Sequence, residues 1–306
     1  MKNTDKLIII YFHICRCYDT DLIAHCQRMS NNYQPDFTDQ EIITIFLYCL
    51  IVEKKRQIKD IYEFADNYLR PWFPDMTKSY EGFLTRLNNL HGVFPPLCWL
   101  LIEAKMEVIH PENLRLYQGL IASVVDSMPI ILAKGPRSFG AKVAPQQCNK
   151  GYCATKKLHY YGLKLHVMGF SIFDKLPLPE YIGISPASNN DLTVFKPFWE
   201  GVHNRAIFAD KIYAKKAFEQ WLLENNNVQI LTPVKKKKGQ KSLEFMDKMY
   251  SRAVSQVRQP IESFFNWIIE KVGIQNASKV RSEKGLLVHV FGRFAAALMI
   301  MTFDIF

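Results

Sequence analysis

Asp126 interrupts the apolar run SVVDSMPIIL, in which Val124, Val125, Ile130, Ile131 and Leu132 are residues suited to a sheet interior. An unpaired charge buried there would cost several kcal/mol. A turn-starting aspartate at a strand end is the plain explanation, and the run by itself does not choose. Asp210 repeats the arrangement in RAIFADKIY, 84 positions on (210 − 126). Parallel α/β sheets gather their ligand sites at the carboxyl ends of strands, so the two aspartates could be neighbours. VRQPIESFFNWIIEKV adds Glu262, four residues after Arg258 and 52 past Asp210 (262 − 210). It borders a helical stripe of Val257, Ile261, Phe264, Phe265, Ile268 and Val272. Carboxylates that converge without a cation repel one another and raise at least one pKa. Hard divalent cations take oxygen ligands of this kind.

The spacing of apolar residues predicts the elements that must position these groups. FTDQEIITIFLYCLIVE opens with Thr38 and Glu41 in capping-box spacing and continues with helical periodicity. QIKDIYEFADNYL and YEGFLTRLNNL repeat the helical pattern on either side of a proline-containing break. From about residue 116 strands take over, beginning with GLIASVVDSMPI and a loop rich in Gly, Pro and Lys. LHYYGLKLHVMGF alternates cleanly and EYIGISPA is a third strand. A helix, the strand RAIFAD, a second helix and the strand VQILTPV follow before a long helical region. Three consecutive strands and then alternating helices and strands give an α/β layout with a mixed sheet.

The formal charge of +10 is unevenly placed. Residues 1–115 hold 13 Lys/Arg against 15 Asp/Glu, and residues 116–306 hold 26 against 14, so +12 lies in the later part. A surplus of this sort points to a polyanionic partner, most often nucleic acid. Cys15, Cys17, His25 and Cys26 come nearest to a metal cluster, but their spacing fits no zinc finger. Reduced thiols in a cytoplasmic protein are expected instead. The start, with His13 and Arg16 breaking its apolar run, is a poor signal peptide. The tail LLVHVFGRFAAALMIMTF carries His289 and Arg293 and reads as a buried helix before a membrane span.

Asp-Ser-Met-Pro on the first strand, Ala-Asp-Lys-x-Tyr after the fourth and Arg-x-x-x-Glu on a later helix resemble the DDE transposases of bacterial insertion sequences. The nearest group is the one named for insertion sequence nine-eighty-two. NKGYCATKKLHYYGLKLHV and FTDQEIITI resemble that group too, so the resemblance covers nearly the whole chain. It implies a ribonuclease-H-like catalytic domain over residues 116–306, a mixed five-stranded sheet with flanking helices. An all-α region, 1–115, precedes it and is able to hold a helix-turn-helix for DNA. It further implies that Asp126, Asp210 and Glu262 are the catalytic, metal-binding residues, with Mg²⁺ or Mn²⁺ as a pair of ions ~3.5–4 Å apart. The implied activity is strand cleavage at the element's ends and strand transfer into target DNA, by a protein that is a homodimer on DNA in the bacterial cytoplasm, away from membranes. Ser255, Ile269 and Ile212 depart from the Tyr, Lys and Gly of related signatures, and Pro260 is expected to kink or begin its helix.

Between Ser127 and Phe173 there is no acidic residue, yet Lys134, Arg137, Lys142, Lys150, Lys156, Lys157 and Lys164 all occur. With the run Lys235, Lys236, Lys237 and Lys238, they are the candidate DNA contacts, which would weaken as salt rises. Arg258 is a further candidate, for a phosphate or for the Glu262 carboxylate. His159 and His166 fall on opposite faces of one strand and cannot share a metal. A catalytically inactive DNA-binding relative is the alternative reading. A small-molecule α/β enzyme lacks support, since neither a Gly-rich phosphate loop nor a nucleophile elbow is present.

Overall fold

The computed structural model describes residues 2–26, 35–153 and 157–303. Five helices come first: α1 (Asn3–Thr20), α2 (Asp39–Ile51), α3 (Ile58–Phe64), α4 (Tyr80–Asn89) and α5 (Phe94–Glu107). The sheet region follows with β1 (Leu116–Tyr117), β2 (Leu120–Lys134), the single turn α6 (Arg137–Gly140), β3 (Asn149–Cys153), β4 (Leu158–Phe170) and β5 (Leu178–Pro186). Next come α7 (Asp191–Trp199), β6 (Arg205–Phe208), α8 (Lys216–Asn226), β7 (Val228–Leu231) and the long α9 (Phe245–Val272). Two more helices, α10 (Glu283–Leu287) and α11 (Arg293–Thr302), close the chain.

These elements form two compact units, one of Met1–Val108 with Ile268–Phe306 and one of Ile109–Trp267. The sequence reading divides the chain at 115/116 and assigns the tail to the sheet domain. The structure instead groups residues 268–306 with the amino-terminal helices, because α11 is apolar on nearly every side and needs a helical core around it. Phe294 to Met299 are all buried there. The run Glu283–Thr302 is long and apolar enough to cross a membrane, and two thirds of its most apolar window (67%) is buried within the protein.

In the helical unit α2 begins as its sequence predicts. The Glu41 amide donates to Thr38 Oγ1 at 3.3 Å, and the Thr38 amide donates back to the Glu41 carboxylate. Every residue from Ile42 to Ile51 is buried, so α2 is the unit's central helix. A Cβ added at Gly292 would stand 2.7 Å from the Phe46 ring, so the tail approaches α2 as closely as it does only through a glycine. His289 and Arg293 are buried and bonded. The Ile274 carbonyl lies 2.8 Å from His289 Nε2, and Arg293 donates to His289 Nδ1 and to the carbonyls of Val272 and Arg56. Arg56 donates to the carbonyls of Glu270 and Lys271. Two guanidinium groups thus satisfy the last turn of α9, where unpaired carbonyls gather negative charge. Burial pulls the Arg293 pKa down to about 9, and Arg56 adds to the effect.

The sheet unit has seven strands where the sequence reading expects five. The extra two are β1 and β3, the latter inside the Gly- and Lys-rich stretch read as loop. Its residues pair antiparallel with the start of β4, from Asn149↔Gly162 to Cys153↔Leu158. β4 also pairs with β5 and β2, both antiparallel, while β2–β6 and β6–β7 are parallel. Across the middle the order is β5–β4–β2–β6–β7. On one face Val125, Met168 and Ile207 pack with Phe195 and Trp199 of α7 and Phe218 and Leu222 of α8. α9 buries Ile261, Phe264 and Phe265, whereas Val257 of the expected stripe is only half-buried. Pro260 neither begins nor ends this helix but lies inside it.

Candidate active site: three carboxylates around Arg258

Asp126 does not end its strand, contrary to the first reading of its sequence. β2 continues to Lys134, but its parallel pairing with β6 stops at Val124↔Phe208. From there β2 keeps its β4 neighbour, with Asp126 opposite Val167. The carboxylate therefore stands two residues past the point where the parallel ladder gives out. That ladder end is also where β6 delivers Asp210. Asp210 follows Phe208 by two residues and opens a turn at Lys211–Tyr213, accepting a hydrogen bond from the Lys211 amide at 2.7 Å. The two aspartates are thus carried by adjacent parallel strands, each two residues past the last pair.

The third carboxylate comes from α9. Arg258 Nη1 donates to Asp126 Oδ2 at 2.8 Å, and Nη2 donates to Glu262 Oε1. The other Asp126 oxygen accepts from the Ser127 amide at 2.8 Å. Burial is the main influence on Asp126 and pushes its pKa up to about 6, with Asp210 and Glu262 adding to the rise and Arg258 opposing it. For Arg258, burial alone would lower the pKa; the charges of Asp126, Glu262 and Asp210 outweigh it and raise it. Asp126, Asp210, Glu262 and Arg258 thus share one electrostatic neighbourhood.

Two neighbours were given no place in this site by the sequence reading. Tyr213 is fully buried; burial first, then Asp191, Asp126 and Asp210, raises its pKa well above the ordinary value, and among the described residues its hydroxyl has no hydrogen-bond partner. Behind it lies a polar cluster in which His166 Nε2 is 2.7 Å from Ser185 Oγ and Lys164 donates to Asp191 at 2.8 Å. Burial lowers the His166 pKa to about 4, so the ring is neutral at pH 7. Tyr213 could have been noticed in Ala-Asp-Lys-x-Tyr, but no spacing links Asp191 to His166.

The basic candidates are placed unequally. Lys134, Arg137, Lys142, Lys150 and Lys157 are exposed, as are Lys235 to Lys238, while Lys156 lies outside the described residues. Lys164 is half-buried and engaged with Asp191 and the Asn189 carbonyl. Lys150 sits over the exposed Phe139 ring, 5.3 Å from its centroid. His159 packs on Tyr152, apart from the buried His166.

As donors, three carboxylates and no sulfur or imidazole suit a hard cation such as Mg²⁺. Among the described residues, however, no three His, Cys, Asp or Glu side chains are gathered closely enough to hold a metal ion, and this includes the cysteines of α1. The cation between Asp126 and Glu262 is the guanidinium of Arg258.

Residues 118–299 match the family described as the transposase DDE domain. No curated protein and no solved structure matches the chain.

Proposed function

The chain belongs to the transposase DDE domain family, and from that premise we propose that it is a DNA transposase of the nine-eighty-two type, with Asp126, Asp210 and Glu262 as its catalytic carboxylates. The observation that carries the assignment is the pair of ion pairs by which Arg258 joins Asp126 to Glu262, beside the ladder end of β2 and β6 that Asp210 follows by two residues. The order β5–β4–β2–β6–β7, in chain terms third, second, first, fourth, fifth, supports the ribonuclease-H-like reading.

Divalent cations, Mg²⁺ or Mn²⁺, would supply activation of the attacking oxygen and stabilisation of the leaving one in an in-line phosphoryl displacement. The chain's own residues do the rest. Asp126 and Asp210 each accept a hydrogen bond from the amide that follows, which sets the orientation of the carboxylate. Glu262, with 53% of its side chain open, is more exposed than Asp126 and closes the site from the helix side. Phosphates of the flanking duplex would be held by the exposed cations of β2–β3–β4. Asp126 and Lys134 are eight residues apart on one strand, roughly 26 Å at ~3.3 Å per residue. Those contacts would fall about eight base pairs from the reacting phosphate, at ~3.4 Å per pair. End recognition is assigned to the amino-terminal helices, and assembly as a homodimer to the DNA-bound state.

The inactive DNA-binding alternative draws on one observation, that Arg258 already neutralises two of the three carboxylates. Cleavage decides between them. Purified protein with Mg²⁺ or Mn²⁺ should cut DNA carrying its own element ends and leave a 3′-hydroxyl. Asp126→Asn, Asp210→Asn and Glu262→Gln should each abolish cutting and leave DNA binding nearly intact. The three losses should not add, as for groups acting as one unit. Binding without cleavage by the unaltered protein would select the alternative.

A further inference from the structure

Arg258 is committed to the cluster more completely than a surface ion pair would be. Its side chain is only 15% exposed, and both terminal nitrogens donate to carboxylates, one to Asp126 and one to Glu262. Among the described residues Nε is buried without a hydrogen-bond partner. Both oxygens of Asp126 already accept a hydrogen bond, from Arg258 and from the Ser127 amide. A hard cation would need the oxygens that the guanidinium occupies, and two cations side by side would repel each other.

On this geometry we propose that Arg258 is the resident counter-ion of the carboxylate cluster, that it competes with divalent cations for Asp126 and Glu262, and that DNA phosphate relieves the competition by drawing the guanidinium away. The proposal rests on the reading of these carboxylates as metal ligands. Its chemistry is a simple exchange of partners. A planar guanidinium pairs with two oxygens of a phosphodiester as it does with a carboxylate, so leaving the cluster costs it little when a phosphate is at hand. Metal and DNA therefore bind with positive coupling, and by reciprocity each raises the affinity for the other. A protein so built keeps a poorly loaded metal site until substrate arrives, which suppresses cutting of unbound or wrongly placed DNA.

Mn²⁺ binding to the full chain, followed at pH 8 by loss of the free-ion paramagnetic resonance signal, tests this without reading activity. Arg258→Gln should bind Mn²⁺ tighter than the unaltered protein in the absence of DNA, by roughly tenfold. Adding duplex DNA should tighten Mn²⁺ binding to the unaltered protein by a similar factor and leave Arg258→Gln nearly unchanged. Arg258→Lys, which keeps the charge but loses the fork, should fall between. Arg258→Gln binding no tighter than the unaltered protein, while Asp126→Asn still weakens binding, would overturn the proposal and spare the metal-ligand reading. Mn²⁺ binding unaffected by both Asp126→Asn and Glu262→Gln would overturn that reading as well. Should Arg258→Gln fail to fold by circular dichroism, the unaltered protein decides: Mn²⁺ affinity independent of duplex DNA refutes the coupling.

Discussion

Replacing Asp126 by Asn should make the metal-free protein more stable at pH 8, and the gain should vanish in acid. Asn keeps the shape of the side chain and an oxygen for the Ser127 amide or Arg258 but removes the charge. The pKa of Asp126 rises from an ordinary 3.8 to about 6, mainly through burial. The folded state therefore holds this proton more tightly than the unfolded chain does. Between about pH 4 and pH 6 the folded form binds more protons, so stability falls as pH rises through that window. Below it both forms are protonated and the residue costs nothing; above it the whole cost stands. The difference between 3.8 and about 6 corresponds to about 3 kcal/mol. With 25% of the side chain open to water, solvent screening reduces this to ~1–2 kcal/mol. Thermal unfolding in EDTA at pH 4, 6 and 8 reads the effect, as a rise in midpoint of roughly 2–5 °C at pH 8 that is absent at pH 4. An Asn variant less stable than the unaltered protein at pH 8 would mean that the Arg258 ion pair outweighs desolvation, and the reasoning would fail.

Arg293→Ala should destabilise the helical unit by about 3–5 kcal/mol, because it leaves the buried Val272 and Arg56 carbonyls and His289 Nδ1 without their donor; a shift in urea midpoint worth under about 1 kcal/mol would contradict this account of the α9 terminus. Gly292→Ala should cost about 1–3 kcal/mol by forcing Phe46 aside, checked by the same titration. Lys150→Ala with Lys157→Ala should weaken binding to every duplex alike and lower the salt slope by roughly 2, measured by fluorescence anisotropy at several salt concentrations. In a hydroxyl-radical footprint the same pair should lose protection about eight base pairs from the cut, and an unchanged footprint would remove the β3–β4 ribbon from the DNA path.

Local chemistry was the part of the fold written most plainly in the residues. The Thr38/Glu41 box and the strands β4, β6 and β7 lie where their spacing predicts, although β4 is buried on both faces and its alternation does not mark a solvent side. What the residues could not carry was pairing at a distance. β3 has the composition of a loop and is a strand only because β4 lends it a ladder. The tail's buried character was legible but its companions were not, since nothing in ALMIM names the helices it joins. The candidate carboxylates could be listed from their positions at apolar run ends. Their real placement, two residues beyond the parallel ladder of β2 and β6, depends on one strand outlasting its neighbour. Arg258 was visible as the partner of Glu262 four residues on, whereas its bond to Asp126 spans 132 positions and no sequence pattern marks it.

Pro260 stands between Arg258 and Glu262, inside a helix of 28 residues. Lacking an N–H, it cannot bond the carbonyl of Gln256, and its ring crowds that carbonyl. The helix is therefore most compliant at the step that separates the two charged side chains. An unbroken helix would lock Arg258 and Glu262 into one relative rotation, so that whatever moved the arginine would drag the glutamate with it. A missing rung loosens the backbone between them, so that a shift at Arg258 need not pass in full to Glu262. Pro260→Ala would restore the rung and stiffen the shaft, giving a more stable helix whose two charges turn together.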